Sequence, residues 1–392
     1  MCFGMKKNAK AINADRRKSN NEYLDFLEFR AEIGIQSRKE GGYTFLDSTY
    51  GSRPLMSKAD LGPYMDRPYN IIEDEYYANE QQAFRPGAWK HYEASAFQTI
   101  RINIARASNS KVHLMLHRKS GYLGIMKIVP GMKSAQARGE LNILSVARDS
   151  PFLIRLIDGF LSSSGPVSET AQDNINFYLF LEYAPFRTLD HLTQAVKGVG
   201  SNNAKLYALE IACALDFLHQ KNIVHRDITP ENVLVLLSGH VCLGDLGSAL
   251  LMDGSTKTNR VCGSYVTRPP EVWNSENYSF AVDIWEFGTT LFYIISNGWP
   301  FLHAVKEKHV QLVQGGKMLF NQSFTECAID LITKMIQVQP NLRPTPRAII
   351  KHKYFDDLKH PYTPPFTPHE LQEMYHFGDE EALVREIVTQ LR

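Results

Sequence analysis

The run Ile223-Val224-His225-Arg226-Asp227-Ile228-Thr229-Pro230-Glu231-Asn232-Val233-Leu234 sets a carboxylate, Asp227, a short way ahead of a carboxamide, Asn232. Gly244-Asp245-Leu246-Gly247 then adds a second carboxylate. Transfer of a phosphoryl group calls for these residue types. It needs a carboxylate beside the attacking hydroxyl and oxygen ligands for the magnesium ions that hold nucleotide phosphates. Asp227 has the spacing for the first task, and Asn232 with Asp245 for the second. A short loop between two β-strands can bring all three into one cleft. An ordinary polar surface loop would account for a lone His-Arg-Asp, but not for the whole set in this order.

H-R-D-x-x-x-x-N followed by Asp-Leu-Gly resembles the eukaryotic protein kinases, and Pro230-Glu231-Asn232 resembles their Ser/Thr branch. The resemblance runs over about residues 97–355. It implies an α+β, two-lobed kinase-like fold, with a small β-rich lobe on a larger, mainly helical one. It also implies ATP and Mg2+ as cofactors and a protein Ser/Thr hydroxyl as acceptor. Carried over residue by residue, it makes Asp227 the group that orients the hydroxyl, and Asn232 and Asp245 the metal ligands. Lys127, in Ile125-Met126-Lys127-Ile128, takes the place of the lysine at the α- and β-phosphates, and Glu140 that of its helix-borne partner. Ala105, Ala107 and Ser110 stand at the three glycine places of the phosphate-covering loop, ahead of Val112. Ile125 stands on the roof over the adenine, Leu181 at the gatekeeper, Glu182 and Ala184 at the hinge, and Leu234 in the nucleotide site. For the ribose carboxylate, Thr188 is the nearest match and Asp190 follows, so that role stays unassigned.

Four departures from the family pattern bear on catalysis. Glycine lets bare backbone approach phosphate closely; Ala105, Ala107 and Ser110 are small, so the hairpin is expected to survive with a stiffer grip. Ile125 replaces a smaller residue and narrows the purine slot. Thr229 replaces a lysine and brings no charge to the developing phosphate. Arg260 replaces a threonine that related kinases phosphorylate, and a cation facing Arg226 is expected to repel it. These changes keep open a non-catalytic pseudokinase that serves as a binding or scaffold protein. The full set of Lys127, Glu140, Asp227, Asn232 and Asp245 favours an enzyme. Cys262-Gly263-Ser264, the interval from Val112 to Lys127 and the tail Pro361-Tyr362-Thr363-Pro364-Pro365-Phe366 lean toward the AGC group, the cyclic-nucleotide-dependent kinases and their relatives.

The elements that must position these groups are legible in part. Phe97–Asn103, Val112–His117 and Tyr122–Val129 read as strands, followed by a helix over Gln136–Val146 that carries Glu140. Phe152–Phe160 and Asn176–Tyr183 read as two further strands, with a polar insertion between them. Asn203–Gln220 has the apolar spacing of a buried helix leading into the catalytic loop. Asp283-Ile284-Trp285 with Gly288 matches the helix beneath that loop. Leu144, Leu156, His225 and Leu246 are expected to stack as a hydrophobic spine. Glu271, in Arg268-Pro269-Pro270-Glu271, is expected to pair with Arg343.

Three segments follow from this reading: an N-terminal extension over 1–90, the kinase domain over 91–355 and a C-terminal tail over 356–392. In the extension, Ser19-x-x-Glu22 is a capping box that opens a helix near 20–34, and residues 37–90 read as loop. In the tail, 379–392 reads as an amphipathic helix, a surface for a regulatory protein or for the catalytic domain itself. A net charge of +1 gives no bulk attraction to nucleic acid. No apolar run reaches membrane-span length. Five scattered cysteines fit reduced thiols in an intracellular protein of the cytoplasm or nucleus.

Overall fold

A computed structural model describes residues 37–40, 43–46, 97–107, 110–117, 122–129, 134–147, 150–163, 175–236, 238–252, 258–358 and 363–374. The expected helix near 20–34, the C-terminal helix over 379–392 and most of the polar insertion lie outside these residues. β1 (Ser37–Glu40) and β2 (Tyr43–Leu46) pair antiparallel, where the sequence reads as loop.

The small lobe is a five-stranded antiparallel sheet in the order β3-β4-β5-β7-β6. Its strands are β3 (Phe97–Ala107), β4 (Ser110–His117), β5 (Tyr122–Val129), β6 (Leu156–Ser163) and β7 (Ile175–Glu182). β6 begins later than expected, because 151–155 turn onto the large lobe: Ile154 N donates to Leu243 O and Leu243 N to Phe152 O. On β5 the strand period of two sends Met126 to one face, buried with Phe97 and Phe180. Ile125 and Lys127 therefore share the other face. Helix α1 (Ser134–Ala147) buries Leu141, Ile143, Leu144 and Ala147 against the core, with Glu140 one turn before Leu144.

The large lobe is helical. α2 (Leu189–Val196) starts at Thr188, whose side chain accepts from His191 N. α3 (Gly200–Gln220) is buried over most of its length. After β8 (Ile223–Val224) comes the catalytic loop. It ends in the hairpin β9 (Val233–Val235) and β10 (Val241–Leu243), and β11 (Leu250–Leu251) returns to pair with β8. α4 (Pro270–Trp273), α5 (Ala281–Ser296), α6 (Lys306–Gly315), α7 (Glu326–Met335) and α8 (Pro346–Ile350) complete the lobe. The Glu271 carboxylate takes both ends of the Arg343 guanidinium, at 2.6 and 2.8 Å, as expected. Leu144, Leu156, His225 and Leu246 are all buried, Leu156 most exposed at 7%.

The tail returns to this lobe through α9 (Pro368–Met374), where Leu371 is buried in the main core. Gly239 has φ +82°, and a Cβ there would lie 2.7 Å from Phe366 O. The glycine thus serves both the turn and the close approach of the tail. Among the described residues, no helix is long and apolar enough to cross a membrane.

Candidate active site

α5 is the platform of the site. Asp283, Glu286 and Thr290 fall three and four residues apart, hence on one helical face, and all three are buried. Asp283 accepts from His225 N at 2.9 Å, from Arg226 N at 2.8 Å and pairs with His219 Nε2 at 2.8 Å. Glu286 accepts from Ile228 N at 2.8 Å, and Thr290 Oγ1 donates to Ile228 O at 2.9 Å. Burial pushes the Glu286 carboxyl well above the ordinary carboxylate range, with Asp283 and Asp227 adding to the shift. Three side chains therefore satisfy loop backbone that has no strand partner. Arg226 holds φ +69° within this grip.

Asp227 is fixed from two sides. Its Oδ1 accepts from Ser264 N at 3.0 Å and from Ser264 Oγ at 2.9 Å, and its Oδ2 accepts from Asn232 Nδ2 at 3.0 Å. Ser264 is a site contact that sequence reasoning missed; it lies just after the Cys262-Gly263 pair, and no spacing rule links it to Asp227. Gly263 permits the crossing. It has φ +77°, and a Cβ there would meet Arg226 O at 2.5 Å.

The β9–β10 ladder pairs Val233 with Leu243, and Gly244 N donates to Asn232 O at 2.7 Å. Asn232 and Asp245 therefore leave the same end of one hairpin. Asp245 adopts a left-handed φ of 48°, with Oδ1 accepting from Gly247 N at 3.3 Å. Such backbone is costly for a non-glycine residue, and here the surrounding hydrogen bonds hold it. Lys127 Nζ donates to Glu140 Oε1 at 2.6 Å and to Asp245 Oδ1 at 2.8 Å, linking the sheet, α1 and the large lobe. Burial alone would lower the Lys127 ammonium, but Glu140 and Asp245 override it and hold it above its ordinary value. Burial raises the Glu140 carboxyl despite Lys127. For Asp245, burial is overridden by Lys127, which holds the carboxyl below its ordinary value. A Cβ on Gly247 would come within 3.1–3.3 Å of Asp245 Oδ1, Glu140 Oε2 and Lys127 Nζ, so bare backbone is what this cluster admits.

The remaining predicted positions surround this cluster. β3 and β4 stay paired through Ala105–Val112 to Ala107–Ser110, so the hairpin persists without its glycines. Val112 is half-buried opposite Lys127. Ile125 is half-buried between Leu114 and Leu181. Glu182 is committed to Arg155: its N–H donates to Arg155 O, and its Oε1 accepts from Arg155 N, both at 3.0 Å. Ala184 is buried, and Leu234 packs below, 3.1 Å from where a Cβ on Gly244 would lie. The open ribose assignment acquires no free carboxylate from the expected pair. Thr188 caps α2, and Asp190 accepts from Tyr293 OH and Gln194 Nε2, both at 2.8 Å. The Thr229 hydroxyl is buried and has no hydrogen-bond partner among the described residues.

Arg226 and Arg260 are directed differently. Arg226 Nε donates to Ser248 O at 2.8 Å, while the Arg260 side chain is exposed. Among the described residues, no group of three or more His, Cys, Asp or Glu could hold a metal ion. Asn232 and Asp245 nonetheless offer the hard oxygens that magnesium prefers, and magnesium commonly binds one or two carboxylates together with substrate phosphates. The donor set fits that cation.

Comparison with known proteins agrees with this geometry. A protein kinase domain model matches residues 102–355. An Aurora kinase of Debaryomyces hansenii is 27% identical over 271 residues, covering 69% of this chain and 64% of that protein. The cAMP-dependent protein kinase catalytic subunit of Dictyostelium discoideum is 28% identical over 312 residues, covering 74% and 46%. A 3-phosphoinositide-dependent protein kinase B of the same organism is 28% identical over 276 residues, covering 68% and 29%. The chain thus spans less than two thirds of the length of each of these relatives. With the matched model spanning most of the chain, and a sheet lobe and a helical lobe meeting at Lys127 and Asp245, the chain belongs to the protein kinase family, in its two-lobed fold.

Proposed function

We propose that this chain transfers the terminal phosphoryl group of ATP to serine or threonine hydroxyls of proteins, using magnesium. The observation that carries the reading is the fixation of Asp227 by Ser264 on one oxygen and by Asn232 on the other. A carboxylate held this way can take one orientation toward an incoming hydroxyl and accept its hydrogen bond, the role a catalytic-loop aspartate serves. MgATP supplies the activated phosphoryl group and the cations that spread its charge. Lys127, kept protonated between two carboxylates, offers a fixed positive charge to phosphate oxygens. Asn232 Oδ1 and Asp245 Oδ2 accept from no donor among the described residues, which leaves them for metal. The Asp245 side chain is 46% exposed, so that ligand is reachable from the cleft. Leu234 and Ile125 bracket the purine position, with Ala184 at the hinge.

Residues 91–355 serve as the catalytic unit in this reading, with 1–90 and 356–392 flanking it. The described cysteines are all free thiols, which suits an intracellular setting. Thermal unfolding with and without MgATP tests the reading. The midpoint is expected to rise with MgATP, and to rise less in Asp245→Asn. No rise at millimolar MgATP in the full chain would refute it, because a ligand that binds the native state must stabilise it.

A further inference from the structure

Resting on the kinase reading, the geometry points to Tyr278 as a positioning residue that orders the activation segment on the catalytic loop without phosphate. Tyr278 lies in the turn between α4 and α5 and is 4% exposed. Its backbone forms a bridge to Thr258, with Thr258 N donating to Tyr278 O at 3.2 Å and Tyr278 N to Thr258 O at 2.9 Å. Its hydroxyl donates to Arg260 O at 2.5 Å and lies 3.4 Å from Cys262 Sγ. Arg226 Nη1 reaches the same hydroxyl at 3.5 Å, a long contact. One residue thus holds the segment at 258 through its backbone and at 260 and 262 through its phenol, which meets the loop arginine as well. Two residues beyond Cys262, Ser264 bonds Asp227. Fixing 258–262 therefore fixes the approach of Ser264 to the carboxylate.

The charge distribution supports this role. Arg226 is 7% exposed, and among the described residues its guanidinium makes no ion pair; carbonyl and hydroxyl oxygens satisfy it instead. Where a phosphothreonine would stand in related kinases there is Arg260, whose exposed side chain leaves its main-chain carbonyl to the tyrosine. Burial, then Cys262, pushes the Tyr278 hydroxyl up to about 12, so it remains a donor throughout the physiological range.

The test compares the full chain with Tyr278→Phe after phosphatase treatment, reading peptide phosphorylation, MgATP-induced thermal shift and amide exchange over 258–266. The wild type is expected to keep its activity after phosphatase. Tyr278→Phe is expected to lose about tenfold in kcat, the scale of one lost hydrogen bond, with the MgATP shift unchanged and exchange over 260–264 raised. A fall in kcat with an unchanged MgATP shift, and with exchange raised only over 260–264, marks a positioning role; general destabilisation would move all three readouts. Wild-type kcat in Tyr278→Phe, or loss of wild-type activity on dephosphorylation, overturns the proposal. If Tyr278→Phe does not fold, exchange in the dephosphorylated wild type decides, and rapid exchange over 260–264 there overturns the proposal. If the wild type transfers no phosphate at all, the kinase reading fails, while the exchange comparison still decides on the tether.

Discussion

Replacing Lys127 by Met separates the structural and chemical roles of the cluster at the centre of the cleft. Lys127 is the only described cation bonded to Glu140, whose side chain is 5% exposed. Without it a carboxylate is left buried and unpaired. Breaking a buried pair from one side costs about 3–5 kcal/mol, whereas replacing both partners by apolar groups is often close to neutral. For a folded unit of the size of this kinase domain that cost lowers the unfolding midpoint by about 6 to 10 °C. The effect depends on pH with a defined sign. Burial already raises the Glu140 carboxyl above its ordinary value of 4.5, and Lys127 is the counterweight that lowers it. Losing the lysine raises it further. A carboxyl whose value is higher folded than unfolded binds protons more tightly in the folded state, so its protein loses stability as pH rises above the ordinary value. The deficit of Lys127→Met against wild type is therefore smaller at pH 5 than at pH 8. Thermal unfolding at the two pH values reads this directly, and Lys127→Met/Glu140→Met should recover most of the midpoint. A deficit of less than about 1 kcal/mol, or one that grows toward acid, would refute the reasoning.

Three further outcomes follow from the same geometry. Ile125→Ala clears volume on the face that Lys127 shares and should tighten MgATP binding; unchanged or weaker affinity by calorimetry would show that Ile125 does not narrow the slot. Arg343→Met strands Glu271, 3% exposed, and should cost about 3–5 kcal/mol in denaturant unfolding, against almost nothing if the pair were idle. Glu286→Gln keeps one acceptor for Ile228 N while removing an acid that burial holds well above its ordinary range. Stability should be nearly unchanged at neutral pH, and a loss of several kcal/mol would mean that the carboxylate's charge is required.

What the sequence made legible is what depends on local spacing. Asp227, Asn232 and Asp245 sit on a loop and one tight hairpin, so their order along the chain already implies their meeting. Lys127 and Glu140 were legible through the resemblance to kinases, which pairs a strand lysine with a helix glutamate; the strand and helix periods only placed the two elements. Ser264 on Asp227, Glu286 under Ile228 and Tyr278 against Arg260 were not, because each contact joins chain segments that only the folded lobe brings together. The inward face of Arg260 was hidden for the same reason. Adjacent positions in a motif do not say which atom faces inward, and here a carbonyl does so while the guanidinium is exposed. The pairing of Ser37–Glu40 with Tyr43–Leu46 reads as loop in the sequence, because four-residue strands are too short to show a clear alternation.

The most direct test of the central claim is transfer of labelled γ-phosphate from MgATP to a protein or peptide acceptor by the full chain, beside Asp227→Asn. The substitution keeps a side-chain oxygen for Ser264 and removes the charge that takes the hydroxyl's hydrogen bond. Wild type should label serine or threonine, at a rate limited by the uncharged Thr229 and the glycine-free loop. Asp227→Asn should lose at least about a thousandfold in rate with its unfolding midpoint unchanged. Equal labelling by the two proteins, or none by the wild type with MgATP bound, would contradict the account.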